Sequence, residues 1–239
     1  MRVFQRSGNT CYCDLHDGWH AHCCPGLSGV RTACRHNPLV REWAHILSLA
    51  GRVVSVEQRD PTMGPNSRLD VVEFPSDFGG PASHDVSVHT VFRADPAFVG
   101  KCAEQAGHAA SEGAKRKLDH QYKDRLPGSS LLPISAEVGG RWHPSVVGLV
   151  RRLARDYVAR TPGLDPSAQG AVVSRWGARL SAILIRGNAA VVRACIGERP
   201  TAPHVDVPGA AALAHLLPEG DCAYELGVER GWREDLSQH

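Results

Sequence analysis

The chain has 239 residues, of which 42% are hydrophobic and 6% aromatic, and its formal net charge at pH 7 is +2. This length and composition allow one sizeable buried core or two small ones, and they exclude collagen-like, fibrous and wholly disordered classes. The charge is too mild to indicate a polyanionic partner by itself. Because the sequence has neither a run of ~20 apolar residues nor an apolar signal block, we expect a soluble intracellular protein without membrane contact.

Cysteine and histidine residues are concentrated near the N-terminus. A tetrahedral zinc ion takes four nitrogen or sulfur ligands from short loops, and one such set is Cys11, Cys13, His20 and Cys24. Other residues of suitable type lie in the same segment: His22, Cys23, Cys34 and His36. The pattern predicts a structural zinc knuckle over residues 1–36, and a reduced, merely buried group of cysteines is the alternative.

Apolar periodicity and turn residues predict the remaining elements in chain order. A helix begins at Asn37, which suits an N-cap with Pro38 at the first helical position, and ends at Gly51. The predicted strands are Arg52–Glu57, Arg68–Phe74, Asp85–Phe92 and Leu131–Val138. The later predicted helices are Ala97–Leu126, His143–Arg160 and Ser167–Ile196. This order predicts an α/β domain over residues 37–196, with a sheet flanked by helices, and a poorly ordered Pro/Gly-rich tail over residues 197–239.

Two aspartates stand near the starts of neighbouring predicted strands. Carboxylates such as Asp70 and Asp85 on adjacent strands can hold one hard cation against a phosphate, and a nearby lysine can stabilise the phosphate charge. The following helix carries Lys115, Lys117 and Tyr122. Lys115 and Tyr122 share an α-helical face better than Lys117 and Tyr122, so both lysines remain candidates. From spacing alone, turn-forming aspartates and solvated lysines are the commoner interpretation.

The order of these motifs resembles the restriction-like endonuclease region of the reverse-transcriptase proteins of site-specific non-LTR retrotransposons. The resemblance extends over about residues 11–196. It rests on the Cys-Cys-His-Cys set and then, in chain order, on Arg35-His36-Asn37, Glu57, Arg68-Leu69-Asp70, Asp85-Val86-Ser87-Val88, Ala109 to Tyr122, Glu137-Val138-Gly139-Gly140, Arg179-Leu180-Ser181 and Arg186-Gly187-Asn188.

The resemblance implies a PD-(D/E)XK nuclease core of a mixed sheet flanked by helices, preceded by the zinc knuckle. In that family the lysine comes from the helix, which agrees with Ser87 standing where the simple motif has lysine. The residues carried over to the reaction are Asp70 and Asp85 as ligands of Mg²⁺ or Mn²⁺, Lys117 or Lys115, Tyr122, and Glu137 as a further acid or a structural residue. The basic residues expected to contact DNA are Arg31, Arg35, His36 and Lys123.

We therefore expect a metal-dependent DNA endonuclease domain of a retrotransposon-derived protein, which nicks target DNA in the nucleus for reverse transcription. The chain lacks the Tyr/Phe-x-Asp-Asp sequence of a reverse-transcriptase active site. Its expected partners are accordingly DNA, element RNA and a reverse transcriptase encoded elsewhere. The alternatives are a non-catalytic zinc-stabilised DNA-binding module and a decayed retroelement fragment.

Overall fold

The structure, a computed structural model, describes residues 2–6, 9–13, 20–59, 68–74, 76, 80–93, 95–122 and 130–196, with only the backbone given for residues 2–6, 9–13, 59 and 121. All of them belong to the first of two units into which the chain divides, Met1–Pro200. The strands are β1 Arg2–Arg6, β2 Asn9–Cys13, β3 Val53–Arg59, β4 Arg68–Phe74, β5 Ala82–His89 and β6 Ser130–Glu137. The α-helices are α1 Ser28–Arg31, α2 Asn37–Leu49, α3 Pro96–Glu104, α4 His108–Arg116, α5 Pro144–Arg160 and α6 Gln169–Cys195.

A four-stranded mixed sheet forms the centre of the described structure. Its strand order is β3-β4-β5-β6, with antiparallel pairing from β3 to β5 and parallel pairing between β5 and β6. The parallel connection requires a crossover, which the segment containing α3 and α4 supplies. The predicted class, α/β with a mixed sheet and helices, is confirmed.

The apolar core lies between one face of this sheet and the helices α2, α5 and α6. Trp43, Val71, Ile134, Leu153 and Leu184 represent the elements involved, and each is at most 2% exposed. Helix α2 presents an apolar stripe with the spacing expected for one buried helical face. A fully buried aliphatic side chain contributes about 1.5–3 kcal/mol, so this cluster is the main source of stability for the domain.

The opposite face of the sheet is covered by α4 and carries polar side chains. Ala109, Ala110, Gly113 and Ala114 form the buried side of α4. Their small side chains let the helix approach β5 and β6 closely. This face holds the aspartates considered below.

Several sequence-based boundaries are wrong. The single helix predicted over Ala97–Leu126 is interrupted, because the chain leaves α3 after Glu104 and turns at Gly107, whose φ of +81° is a left-handed conformation that favours glycine. Strand β5 begins at Ala82 instead of Asp85 and ends at His89 instead of Phe92. Asn37 is not an N-cap, because a helical turn already precedes it.

The N-terminal segment contains a hairpin that the sequence did not predict. Strands β1 and β2 pair antiparallel from Arg2 opposite Cys13 to Arg6 opposite Asn9. The expected tail over residues 197–239 lies outside the described residues. Within the described part of the chain, no helix is both long and apolar enough to cross a membrane.

Candidate active site

The pairing of β4 with β5 brings Asp70 and Asp85 together. Val71 is paired with His84 at the end of their antiparallel ladder, and continuing that register by one residue places Asp70 opposite Asp85. Side chains alternate between the faces of a strand, so both carboxylates lie on the face that α4 covers, opposite the apolar core. The backbone N–H of Val86 donates to Asp70 Oδ2 at 2.7 Å. The side chain of Asp70 thus binds directly to the strand that carries Asp85.

Asp70 is also contacted by His36, the residue immediately before α2. His36 Nε2 lies 3.3 Å from Asp70 Oδ1. Burial acts to raise the pKa of Asp70, but the contact with His36, the Val86 N–H and the charge of Lys117 together outweigh burial and lower this pKa below its usual value. Asp70 is therefore held in its ionised form.

Asp85 has a different environment. Lys117 Nζ donates to Asp85 Oδ1, and both side chains are 10% exposed. Burial and the charge of Asp70 raise the pKa of Asp85, although Lys117 and Tyr122 partly counteract them. Asp85 Oδ2 is buried and has no hydrogen-bond partner among the described residues. The pair therefore combines a readily ionised carboxylate with one that has an unused oxygen.

These donors fit a magnesium or manganese ion. Both metals prefer hard oxygen ligands, and magnesium is commonly held by one or two carboxylates together with waters and substrate phosphates. Asp70 and Asp85 supply the carboxylates, and the buried Oδ2 of Asp85 supplies a lone pair that no described residue uses. In the described part of the chain, no group of three or more His, Cys, Asp or Glu residues is arranged to hold a metal, so the remaining ligands would be water and phosphate.

The two site residues that helices supply, His36 and Lys117, both lie in π-helical turns. The turn Thr32–His36 ends at His36, and the turn Lys117–Gln121 begins at Lys117. Such turns widen a helix locally and are frequent at functional sites. In the second turn, the N–H of Tyr122 donates to the carbonyl of Lys117 at 3.0 Å, which aligns residues five apart. This geometry brings Lys117 and Tyr122 to the same carboxylate and explains why α-helical spacing did not favour that pair.

The core face directly behind Asp85 carries a buried polar chain. Trp43 Nε1 donates to His84 Nδ1 at 3.1 Å. The indole nitrogen can only donate, so Nδ1 is the acceptor and neutral His84 carries its proton on Nε2. That Nε2 lies 3.4 Å from Glu73 Oε1, and both residues are at most 3% exposed. The Trp43–His84 hydrogen bond ties β5 to α2 next to the site, while His84 and Glu73 form a close contact between β5 and β4 that is not hydrogen-bonded.

A row of polar residues continues from Asp85 along β5. Ser87 Oγ lies 3.1 Å from Ser135 Oγ and 2.9 Å from His89 Nε2. Burial, followed by the charges of Lys117, Arg116 and Arg93, lowers the pKa of His89 to about 4, so this imidazole is neutral at pH 7. Ser87 is therefore part of a neutral hydrogen-bonded row, while the lysine reaches Asp85 from the helix.

Two other predicted reaction residues lie elsewhere. Lys115 is exposed, so of the two candidate lysines only Lys117 contacts the carboxylate pair. Glu137 is 3% exposed, and its Oε1 accepts a hydrogen bond from the N–H of Ala109 at 3.0 Å, near the N-terminus of α4. Because it pairs with His89 on the parallel strand, it lies four residues along the sheet from the level of Asp85. In this structure Glu137 caps a helix.

The residues expected to contact DNA are divided among different environments. Arg31 is half-buried and donates to the carbonyl of Cys24. Arg35 is 5% exposed, and its NH1 donates to Asn188 Oδ1, so its guanidinium is not presented to solvent. His36 contacts Asp70, a role that its place in the Arg-His-Asn element did not reveal. Lys123 lies outside the described residues.

The predicted zinc ligands fall only partly within the described structure. His20 and Cys24 belong to one tight turn, in which the N–H of Cys24 donates to the carbonyl of His20 at 2.8 Å. Cys11 and Cys13 lie on β2, whose side chains are outside the described residues. The β2 backbone contacts the adjoining turn Pro25–Leu27. The side-chain geometry of the four-residue set is therefore not described.

Fold and site together define a mixed α/β protein in which a partly buried aspartate, Asp70, lies opposite the buried pair of Asp85 and Lys117. In comparisons with known proteins, no family model matches this chain and no curated protein sequence matches it.

Proposed function

We propose that this chain is a metal-dependent DNA endonuclease domain with a restriction-endonuclease-like core, derived from a retrotransposon and suited to nicking target DNA for reverse transcription. One observation carries the proposal: Asp70 and Asp85 face each other across β4 and β5, with Lys117 bound to Asp85 and one buried oxygen of Asp85 without a hydrogen-bond partner among the described residues. The proposed biological setting, in the nucleus with a reverse transcriptase and element RNA as partners, rests on the resemblance described above.

The residues of the site have distinct roles in this proposal. Asp70 and Asp85 would hold Mg²⁺ or Mn²⁺, which supplies charge neutralisation at the phosphate and makes water a better nucleophile. His36 and the Val86 N–H keep the Asp70 carboxylate ionised and aligned. Lys117 lies where its ammonium group can stabilise negative charge that develops on a phosphate. Tyr122 keeps Asp85 more acidic than burial alone would allow.

The basic surface beside the site supports DNA as the substrate. An open depression of about 270 Å³ is lined by Arg93, Lys115, Arg116 and His120, together with the acids Glu112 and Asp119. Arg93 lies 3.9 Å above the ring of Phe98, which holds its guanidinium in place. Arg93 and Arg116 lie close enough to His89 to lower its pKa, so phosphates bound here would lie on the same face of the sheet as the carboxylate pair.

The nicking reaction is tested with supercoiled plasmid in the presence of Mg²⁺ or Mn²⁺. We expect conversion to open circles by the wild-type chain and its loss in Asp70→Asn/Asp85→Asn, since these amides keep the shape but remove the negative charges. The matched control is Glu104→Gln, which neutralises an exposed acid at the end of α3, outside the depression and the carboxylate pair. Cleavage that is unchanged in the doubly substituted protein would refute the site.

The N-terminal segment is proposed to be a structural zinc knuckle built from Cys11, Cys13, His20 and Cys24. The donor types suit tetrahedral zinc, and the compact turn of His20 and Cys24 beside β2 supports the assignment. Elemental analysis of protein purified without chelator is expected to find about one zinc ion per chain, as a single four-ligand site requires. Substitution of Cys24 by Ser should lower that content, and zinc-free protein would contradict the knuckle.

A non-catalytic DNA-binding module is the second candidate. The exposed cations of the depression favour it, because they would bind phosphates whether or not the carboxylates hold a metal. In that case DNA binding would weaken steeply with salt while no strand cleavage occurs in either metal. A plasmid assay run beside a salt titration of DNA binding separates the two functions.

A further inference from the structure

Helix α6 approaches the π-helical turn Thr32–His36 unusually closely at Gly187. A Cβ atom at this position would lie 2.7 Å from the carbonyl oxygen of Cys34 and 2.8 Å from Cα of Arg35. Real Cβ atoms do not tolerate backbone neighbours at such distances, so the approach requires glycine. The absence of a side chain at Gly187 brings the next residue, Asn188, to the turn that carries His36.

The Asn188 side chain connects three segments. Its Oδ1 accepts a hydrogen bond from Arg35 NH1 at 3.1 Å, and its Nδ2 donates to the carbonyl of Val138 at 2.8 Å. Val138 is tied in turn to the end of β5, because its N–H donates to the carbonyl of His89 at 2.9 Å. We call the Arg35–Asn188 hydrogen bond the α6 clasp.

The clasp is next to the candidate active site. Arg35 is 5% exposed, and the following residue, His36, places Nε2 3.3 Å from Asp70 Oδ1. A continuous series of contacts therefore runs from β5, which carries Asp85, through Asn188 and Arg35 to His36 on Asp70. One end of the series is His89, four residues along β5 from Asp85, and the other end is His36 against Asp70. A shift of the clasp would therefore act on Asp70 through His36.

We propose that Arg35 and Asn188 are positioning residues for the candidate active site, which act by holding His36 against Asp70. The inference rests on the proposed function for the role of the site. It gives a functional reason for the contact between the Arg35-His36-Asn37 and Arg186-Gly187-Asn188 elements, which lie far apart in sequence. A clasp that only stabilised the fold would not change how His36 acts on Asp70.

A double-substitution cycle separates positioning from stability. The two readouts are Mn²⁺ affinity, measured by titration calorimetry with the metal alone, and the single-turnover nicking rate. Asn188→Ala and His36→Ala are each expected to lower the Mn²⁺ affinity, the nicking rate or both by about tenfold, as is common for residues that orient metal ligands. Asn188→Ala should then have little further effect in the His36→Ala background, because both substitutions act through the same contact.

Gly187→Ala is a second perturbation that leaves every hydrogen-bonding side chain in place. Its added methyl should push the π-helical turn away from α6 and weaken Mn²⁺ binding in the same way as Asn188→Ala. The matched control is Gly177→Ala on the same helix, where a Cβ would meet no atom of the neighbouring described residues within 4 Å. That control should bind Mn²⁺ as the wild type does.

The possible outcomes distinguish this inference from the proposed function. Additive effects of Asn188→Ala and His36→Ala, or a lowered melting temperature with unchanged Mn²⁺ affinity and nicking rate, would overturn the clasp as a positioning device. A wild type that binds Mn²⁺ but does not nick would refute the proposed nuclease function. The double-substitution cycle in Mn²⁺ affinity would still test the positioning role of the clasp. A wild type without measurable Mn²⁺ binding or nicking would overturn both.

Discussion

Replacement of Lys117 by methionine tests the electrostatics of the site without reference to any substrate. The ammonium group and the Asp85 carboxylate form an ion pair whose side chains are both 10% exposed. Two unit charges about 4 Å apart at an effective dielectric constant of about 20 interact by about 4 kcal/mol. Removal of one partner from a buried pair typically costs about 3–5 kcal/mol, and we expect Lys117→Met to lower the free energy of unfolding by an amount in that range.

This loss should depend on pH in a defined direction. Burial and Asp70 already raise the pKa of Asp85, and removal of Lys117 raises it further because its lowering influence is lost. An acid with a raised folded-state pKa binds more protons when folded, so its contribution to stability falls as the pH rises from the unfolded towards the folded pKa. The deficit of Lys117→Met should therefore be larger at about pH 8 than at about pH 5.

Urea denaturation of three variants at both pH values provides the assay. Lys117→Met/Asp85→Asn should recover most of the lost stability, since the unpaired charge is gone. The control Lys115→Met removes an exposed lysine from the neighbouring helix and should change stability by no more than about 0.5 kcal/mol. Equal stability of Lys117→Met and Lys115→Met, or no recovery on adding Asp85→Asn, would refute the buried ion pair.

Two further substitutions test the packing around the site. Gly113→Ala should destabilise the protein by about 1–3 kcal/mol, because its Cβ would lie 2.1 Å from His89 Nε2. Gly100→Ala should not, because a Cβ there would meet no atom of the described residues within 4 Å. Equal losses of stability for the two variants in urea denaturation would contradict this packing. Trp43→Phe should cost about 1–3 kcal/mol in the same assay, because it removes buried indole volume and leaves His84 Nδ1 without its donor. A loss below about 0.5 kcal/mol would contradict the buried Trp43–His84 hydrogen bond.

Strong periodicity made part of the fold predictable. Helices α2, α5 and α6 each place apolar residues on one face, and their predicted positions differ from the observed ones by only a few residues. The start of strand β5 is harder to predict from the sequence. The first five residues of the strand are all buried, and they include the polar residues His84 and Asp85. Alternation of apolar and polar residues could not mark where such a strand begins.

The candidate site was only partly predictable for a similar reason. The residue types identified Asp70 and Asp85. That the two lie opposite each other depends on the pairing register of β4 and β5, which begins at Ala82, before the predicted start of the strand. The choice of Lys117 over Lys115 depends on a π-helical turn, and helical-face reasoning assumes 3.6 residues per turn. Arg35 looked like a basic surface residue because nothing in its local sequence indicates Asn188, which lies on a distant helix.

The most direct measurement of the central claim is the nicking of supercoiled plasmid by the full chain in Mg²⁺ or Mn²⁺. We expect metal-dependent formation of open circles by the wild type and by Glu104→Gln. We expect a loss of about a thousandfold or more in Asp70→Asn/Asp85→Asn, because several kcal/mol of transition-state stabilisation disappear with the carboxylates. Cutting at the wild-type rate by the doubly substituted protein, or no cutting by a folded wild type that binds DNA, would contradict the central claim.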